Sequence, residues 1–315
     1  MAQAEPTLAA LANPPLRYFM ATRPPFLSVT LFASVVGLAT AFASGIAVHP
    51  STATITVIFA LVAHAGINVL NDYYDALSGT DALNTERVFP FTGGSRFIQN
   101  GVLTLRETLI FGAILLALVV VAGMWLTAAS APGLVWIGVA GLFIGWTYSA
   151  PPLKLNSRGM GEACVWAGFA LIAVGADFVQ RGSLSTLPVI AAAGYALLVT
   201  NILYINQFPD RKADEAAGKH HLVVRLGVER ARWGYVAIAV AAYGWVVFAV
   251  LSGALPWLAL IALLPAALSA RAARELLRLA NRPQDLGPAI QQTIGAASLH
   301  GLLIAVSLVA DRLID

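Results

Sequence analysis

Apolar positions in this chain run on almost unbroken for about 20 residues at a time, the length a helix needs to cross a bilayer. Nine such runs are read, near 26–46, 53–76, 108–128, 133–150, 161–180, 186–207, 232–252, 255–271 and 290–310. Each is bounded by charge, Gly or Pro. Barrel strands would be shorter and patterned with a period of two, so the pattern predicts an all-α protein. The fifth run carries Asp177 near its exit, and the eighth is short and holds Pro256 and Pro265. The expected architecture is an integral membrane bundle of about nine transmembrane helices, forming one domain over residues 1–315. Ahead of the first run lie Glu5 and the pairs Pro14-Pro15 and Pro24-Pro25, without the basic-then-apolar order of a cleaved signal. That stretch reads as an amphipathic lead-in.

Composition sharpens the class. Hydrophobic residues make up 58% of the chain and charged residues 11%, against about 25% charged in soluble domains. The lipid bilayer is the expected partner, and a nucleic acid is not. The single cysteine, Cys164, excludes an internal disulfide framework and a multi-thiolate metal site. The net charge of +3 is small, but its placement is informative: of the 19 Lys and Arg, all except Arg181 and Arg312 fall on one side of the alternating runs. Basic loops stay inside, so the expected orientation has the N-terminus in the cytoplasm and the C-terminus outside.

Polar chemistry gathers in two of the basic connections. The first starts inside the second run, where Asn68, Asp72 and Asp75 fall at i, i+4 and i+7 and share one helical face. Acids at a helix C-terminus oppose the helix dipole, so ordinary capping would not select them. Three oxygen-bearing side chains suit a hard cation such as Mg²⁺, which takes few carboxylates and completes its shell with water and phosphate oxygens. The second connection repeats the spacing with Asn206, Asp210 and Asp214. Pro209 interrupts it and predicts a helix break near Phe208. Alternatives for this segment are a charged linker or a patch for anionic lipid headgroups. Two acidic motifs at one membrane face imply two cation half-sites, and the anion that fits between them is a diphosphate.

These motifs, the nine runs and the phrase Asn71-Asp72-Tyr73-Tyr74-Asp75 with Gly79 and Asp81 resemble the UbiA superfamily of membrane prenyltransferases. Within it, the chain is similar to the 1,4-dihydroxy-2-naphthoate (menaquinone-type) enzymes. The similarity rests on Arg23-Pro24, on Gly93-Gly94-Ser95 with Gly101-Val102-Leu103-Thr104, and on Ala217-Gly218-Lys219 through Val224-Arg225-Leu226-Gly227. The resemblance implies Mg²⁺-dependent transfer of an isoprenyl chain from a prenyl diphosphate to an aromatic acceptor, with the active site near the cytoplasmic face of a bacterial cytoplasmic membrane. It implies Asn68, Asp72, Asp75, Asn206, Asp210 and Asp214 as ligands of two ions that bridge the diphosphate. Arg23, Lys154 and Lys219, then Arg96 and Arg225, are implied as its cationic partners, and Tyr148 as a contact of the diphosphate or the allylic cation. 1,4-Dihydroxy-2-naphthoate is the expected acceptor and 4-hydroxybenzoate the alternative. Prenyl length and oligomeric state leave no mark in the sequence.

Other polar residues carry blander expectations. His64, four residues before Asn68, reads first as structural, His220 and His221 as solvated, and Cys164 as small packing. Asp177 with Arg181, and Arg158 with Glu162, are spaced to pair across one helical turn. The competing class is a transporter, which would hold its acids near span midplanes or in matched broken helices; here they gather at one face.

Overall fold

The structure, a computed structural model, describes residues 4–314, and these residues contain helices and no strand. Twelve α-helices follow one another: α1 (Pro14–Ala21), α2 (Pro24–Ala43), α3 (Pro50–Ser78), α4 (Thr80–Leu83), α5 (Leu105–Ala129), α6 (Leu134–Ser149), α7 (Gly161–Arg181), α8 (Leu187–Ala216), α9 (Leu222–Leu226), α10 (Val228–Leu251), α11 (Ala266–Leu279) and α12 (Gly287–Ile314). Local chemistry sets the ends. Pro occupies the first turn of α1, α2, α3 and α8, where its missing N–H costs nothing. Thr104 and Glu107 form a reciprocal capping box at the start of α5.

Among the described residues, eight helical segments are long and apolar enough to cross a membrane: α2, α3, α5, α7, α8, α10, Trp257–Leu279 and α12. The fourth expected run corresponds to α6, which is apolar but only 16 residues long, about 24 Å against a hydrocarbon core of about 30 Å. The eighth expected run is likewise not one α-helix. Trp257–Leu263 is a 3-10 segment, and α11 begins only after Pro265. Helix α11 is two-faced, burying Ala272 and Leu276 while Arg271, Arg274 and Arg278 stay exposed.

The expected break near Phe208 does not occur: α8 runs unbroken through Pro209 to Ala216. A proline in a helix forfeits one backbone bond. Packing holds the helix regardless, because Gln207, Phe208 and Pro209 are all buried against neighbours.

Contacts link the helices in a closed run, α2–α3–α5–α6–α7–α8–α10–α11–α12 and back to α2, with α2 and α8 also touching across the interior. Small residues such as Ala39, Ala173, Ala191 and Ala192 let the backbones approach. Gly37 on α2 is the tightest case, since an added Cβ would lie 2.1 Å from the Ala173 carbonyl oxygen on α7. The expected Asp177–Arg181 pair is present at 2.7 Å. Thr40 donates to Asp177 at 2.9 Å and Arg181 donates to Ser44 at 2.9 Å, pinning α7 to α2 at the end remote from the acidic motifs.

Candidate active site

Continuity of α8 through Pro209 keeps Asn206, Asp210 and Asp214 at their helical spacing, and α3 does the same for Asn68, Asp72 and Asp75. The two acidic ends meet through Lys219. After α8 the chain turns at Gly218 (φ 79°), and the Lys219 amide donates to the Asp214 carbonyl at 2.8 Å. This aims Lys219 Nζ between the motifs, 2.7 Å from Asp75 Oδ1 and 3.4 Å from Asp214 Oδ1. Burial alone would depress the Lys219 ammonium, but the Asp75 and Asp214 charges override it and hold its pKa above the usual lysine range. His221 Nε2 stands 3.2 Å from Asp214 Oδ2.

The loop after α4 covers both motifs with hydrogen-bond donors. Asn84 Nδ2 and the Gly93 amide donate to Asp210 Oδ1 at 2.5 and 3.0 Å, and the Ser95 amide donates to Asp72 Oδ1 at 3.2 Å. Asp81 is buried beneath this loop. Burial first, then the Asp75 and Asp72 charges, push its carboxyl well above the ordinary range. Gly94 (φ 71°) lies against it, and an added Cβ would meet Asp81 Oδ2 at 2.2 Å. The loop is strapped from outside by Glu5, which pairs with Arg87 at 2.6 Å. Burial disfavours the Glu5 charge, yet hydrogen bonds from Asn100 and Arg87 hold its pKa below the usual range.

Arg23 enters from the other side. In a left-handed conformation (φ 60°) it lies over the Phe26 ring at 4.8 Å, and its Nη2 donates to the Phe91 carbonyl at 2.9 Å. Asn68 Nδ2 donates to the Thr22 carbonyl at 3.1 Å, and Asn206 Nδ2 to that of Phe91 at 3.4 Å. Arg23 Nε and Asn206 Oδ1 are buried without a protein partner, so the site retains polar capacity for a ligand.

From this polar end a cavity of about 550 Å³ runs between α3, α5, α6 and α7. Asp75, Asp81, Asp210, Asp214 and Lys219 line its head, and Tyr148 lies on its wall. Beyond Ile67 and Phe169 the lining is mostly apolar, ending near Thr56, Leu126 and Val179. Asp75 and Thr56 are separated by about 28 Å of α3 at 1.5 Å per residue.

Not every expected site residue reaches this cavity. Lys154 is exposed, in a left-handed turn (φ 43°) before Leu155. Arg225 is also exposed, and donates to the His220 and Arg158 carbonyls at 2.6 and 2.7 Å, so it ties two loops together. Arg96 points to the Asp81 carbonyl and stands 3.7 Å from Glu5. Asp72 is buried behind Ser95 rather than on the cavity wall. Glu162 accepts from Gln207 at 2.8 Å, while Arg158 donates to the Pro152 carbonyl, so the expected Arg158–Glu162 pair is replaced. His220 is exposed as expected, but His221 is buried against Asp214. Its place two residues after Lys219 was the available signal. Asn84 had none, because its Asp210 contact spans 126 positions.

The donor set suits Mg²⁺ in kind: carboxylate and amide oxygens only, with Asn206 Oδ1 free of protein partners. Among the described residues, no three His, Cys, Asp or Glu side chains close into a metal cage. A cation held here would take its remaining ligands from water and phosphate, as Mg²⁺ ordinarily does.

A helical membrane bundle with two acidic helix ends at the mouth of a deep apolar cavity is the architecture of an enzyme acting on a lipid-like substrate with a charged head. The sequence profile of the UbiA prenyltransferase family matches residues 30–287, and the chain belongs to that family. It is a membrane-bound prenyltransferase. The chain is 31% identical to a 1,4-dihydroxy-2-naphthoate octaprenyltransferase of Mycobacterium tuberculosis, over 79% of this chain and 82% of that one. To the enzyme of the same name from Escherichia coli it is 28% identical, over 91% and 92%. Among solved structures, a UbiA homolog from Archaeoglobus fulgidus bound to DMAPP and Mg²⁺ superposes with a TM-score of 0.62 at 17% identity, covering 93% of this chain and 99% of that one. The apo UbiA homolog from Aeropyrum pernix K1 gives 0.61 at 19%, covering 85% and 96%.

Proposed function

We propose that the protein transfers a prenyl group from a prenyl diphosphate to 1,4-dihydroxy-2-naphthoate, in a Mg²⁺-dependent reaction at the cytoplasmic face of a bacterial membrane. The observation that carries this reading is the junction of Asp75 and Asp214 across Lys219 at the head of the apolar cavity. A diphosphate matches the polar end, and an isoprenyl chain matches the remainder. The names carried by the relatives from M. tuberculosis and E. coli support the naphthoate acceptor.

Asn68, Asp75, Asn206, Asp210 and Asp214, which line the cavity, would hold the metal, two ions in all, and Asp72 would complete the set from behind Ser95. Bound Mg²⁺ neutralises charge on the leaving diphosphate. The chain's own contribution is positional and electrostatic. Arg23, with its Nε unpartnered, and Lys219 offer fixed positive charge to phosphate oxygens. Lys154, Arg96 and Arg225 are engaged elsewhere or turned outward. As the donor C–O bond breaks, its electrons leave with the diphosphate, and a ring carbon of the acceptor bonds to the allylic C1. The ring then regains aromaticity as that carbon loses the group it carried, a proton that passes to the released diphosphate or, at the carboxyl-bearing carbon, CO₂. Tyr148 stands on the wall beside this path. The apolar lining keeps water from intercepting the cation.

The test is purified protein with Mg²⁺ and a radiolabelled prenyl diphosphate, offered each aromatic acceptor in turn. Label should enter 1,4-dihydroxy-2-naphthoate. Transfer to 4-hydroxybenzoate alone would overturn the assigned acceptor.

A further inference from the structure

His64 is a titratable side chain on the cavity wall that the reaction above leaves without a task. It lies on α3 one turn deeper than Asn68, about 6 Å further into the bundle, and lines the same cavity. Two contacts fix its ring. Nδ1 lies 2.7 Å from Thr30 Oγ1, and Phe169 meets the ring edge to face with centroids 5.6 Å apart. Among the described residues, the Thr30 contact is the one hydrogen bond the imidazole makes. Nε2 is thus the remaining polar atom on a patch of wall shared with Ala60, Ala63, Ile67 and Ile172. His64 is half-buried on this wall and Nε2 keeps no protein partner among the described residues, so it is free to take one from the cavity, and a held rotamer makes it ready for one.

The donor does not supply that partner. Its chain is hydrocarbon, and its diphosphate belongs with the acids and Lys219, a turn or more away. The aromatic acceptor does, because its reacting carbon must come beside the allylic C1, which lies just inside the diphosphate. A hydroxyl both donates and accepts, so it pairs with Nε2 in either tautomer. We infer that His64 Nε2 hydrogen-bonds a ring hydroxyl of the acceptor and so sets which ring carbon faces the donor. The inference rests on the prenyl-transfer reading above and adds a specificity-determining residue to it.

Two substitutions separate this role from a structural one. His64→Asn places an amide near the Nδ1 position, keeping a partner for Thr30 while removing Nε2. His64→Gln reaches the Nε2 position and gives up the Thr30 contact. The Asn variant should raise the acceptor KM about tenfold, the effect of one lost hydrogen bond, with the donor KM unchanged. The Gln variant should stay within about threefold of wild type. A near-native Asn variant with an impaired Gln variant would overturn the inference and leave His64 as a prop for Thr30. Wild-type protein provides a measurement independent of variant folding: it should use a hydroxylated arene at least about tenfold better than its O-methyl ether, and equal use would also overturn the inference. If wild type prenylates no hydroxyarene, the proposed function itself fails. If it does so while the Asn variant keeps the native acceptor KM, only the role of His64 fails.

Discussion

Replacing Lys219 with methionine tests the electrostatic centre of the site directly. Methionine retains most of the aliphatic stem, so the change isolates the charge. Lys219 is 9% exposed, and its carboxylate partners, at 2.7 and 3.4 Å, have side chains 14% and 10% exposed. Solvent screening therefore offers little relief. Removing one partner of a buried ion pair costs about 3–5 kcal/mol, because the other charge is left uncompensated. Here the abandoned charges are Asp75 and Asp214, beside Asp81 and Asp210. At about 2–4 °C per kcal/mol for a chain of this order, the lower figure predicts a thermal midpoint about 6–12 °C below wild type in detergent without divalent cations. A divalent cation held by the same carboxylates replaces the lost charge, so excess Mg²⁺ should raise the variant's midpoint more than wild type's. The assay is intrinsic tryptophan fluorescence against temperature, with and without Mg²⁺. A drop below about 2 °C, or an equal Mg²⁺ effect on both proteins, would refute the argument.

Three further outcomes follow from the same geometry. The raised Asp81 pKa means that the native carboxyl holds its proton more tightly than the unfolded chain does, so stability falls as pH rises from the ordinary carboxylate value to the native one. Asp81→Asn should be the more stable protein at neutral pH, with the difference fading below about pH 4; midpoints measured across this range decide it. Gly94→Ala forces a Cβ into Asp81 Oδ2 at 2.2 Å and should lower donor kcat/KM at least about tenfold by displacing the amides over Asp72 and Asp210. Gly101→Ala, which shares a positive φ but has open space around it, should cost far less activity. Cysteines placed at exposed positions 85 and 220 after Cys164→Ala should react with impermeant thiol reagents from the cytoplasmic side alone, and labelling from outside would reverse the proposed orientation.

Legibility in the sequence followed the range of the interactions. Asn68, Asp72 and Asp75 could be placed on one face because helical periodicity is local, and α3 is one helix through all three. Asn206, Asp210 and Asp214 shared the same signal, but Pro209 argued against it. Local propensity forbids what burial of Phe208 and Pro209 in α8 permits. The apolar runs marked the spans well where they were continuous. The eighth also marks a span, although Pro265 divides it into a 3-10 segment and α11, whereas the fourth gives only the 16-residue α6. The covering loop was illegible because Asn84 and Gly93 reach Asp210 across 126 and 117 positions, and no spacing rule operates at that distance. Basic residues misled for the opposite reason. Lys154 and Arg225 lie in basic connections of the sequence, but a left-handed turn and two backbone carbonyls direct them away from the cavity.

The central claim, that acids from α3 and α8 act together on a prenyl diphosphate, is tested most directly by following labelled prenyl transfer to 1,4-dihydroxy-2-naphthoate by wild type, Asp72→Ala and Asp210→Ala, each with Mg²⁺ and with a chelator. Each residue belongs to a different helix, and each accepts a hydrogen bond from the covering loop. Wild type with Mg²⁺ should form prenylated product, while chelated wild type and both variants, still folded in the membrane, should form none above background. Near-native turnover by either variant, or by wild type under chelation, would contradict the account.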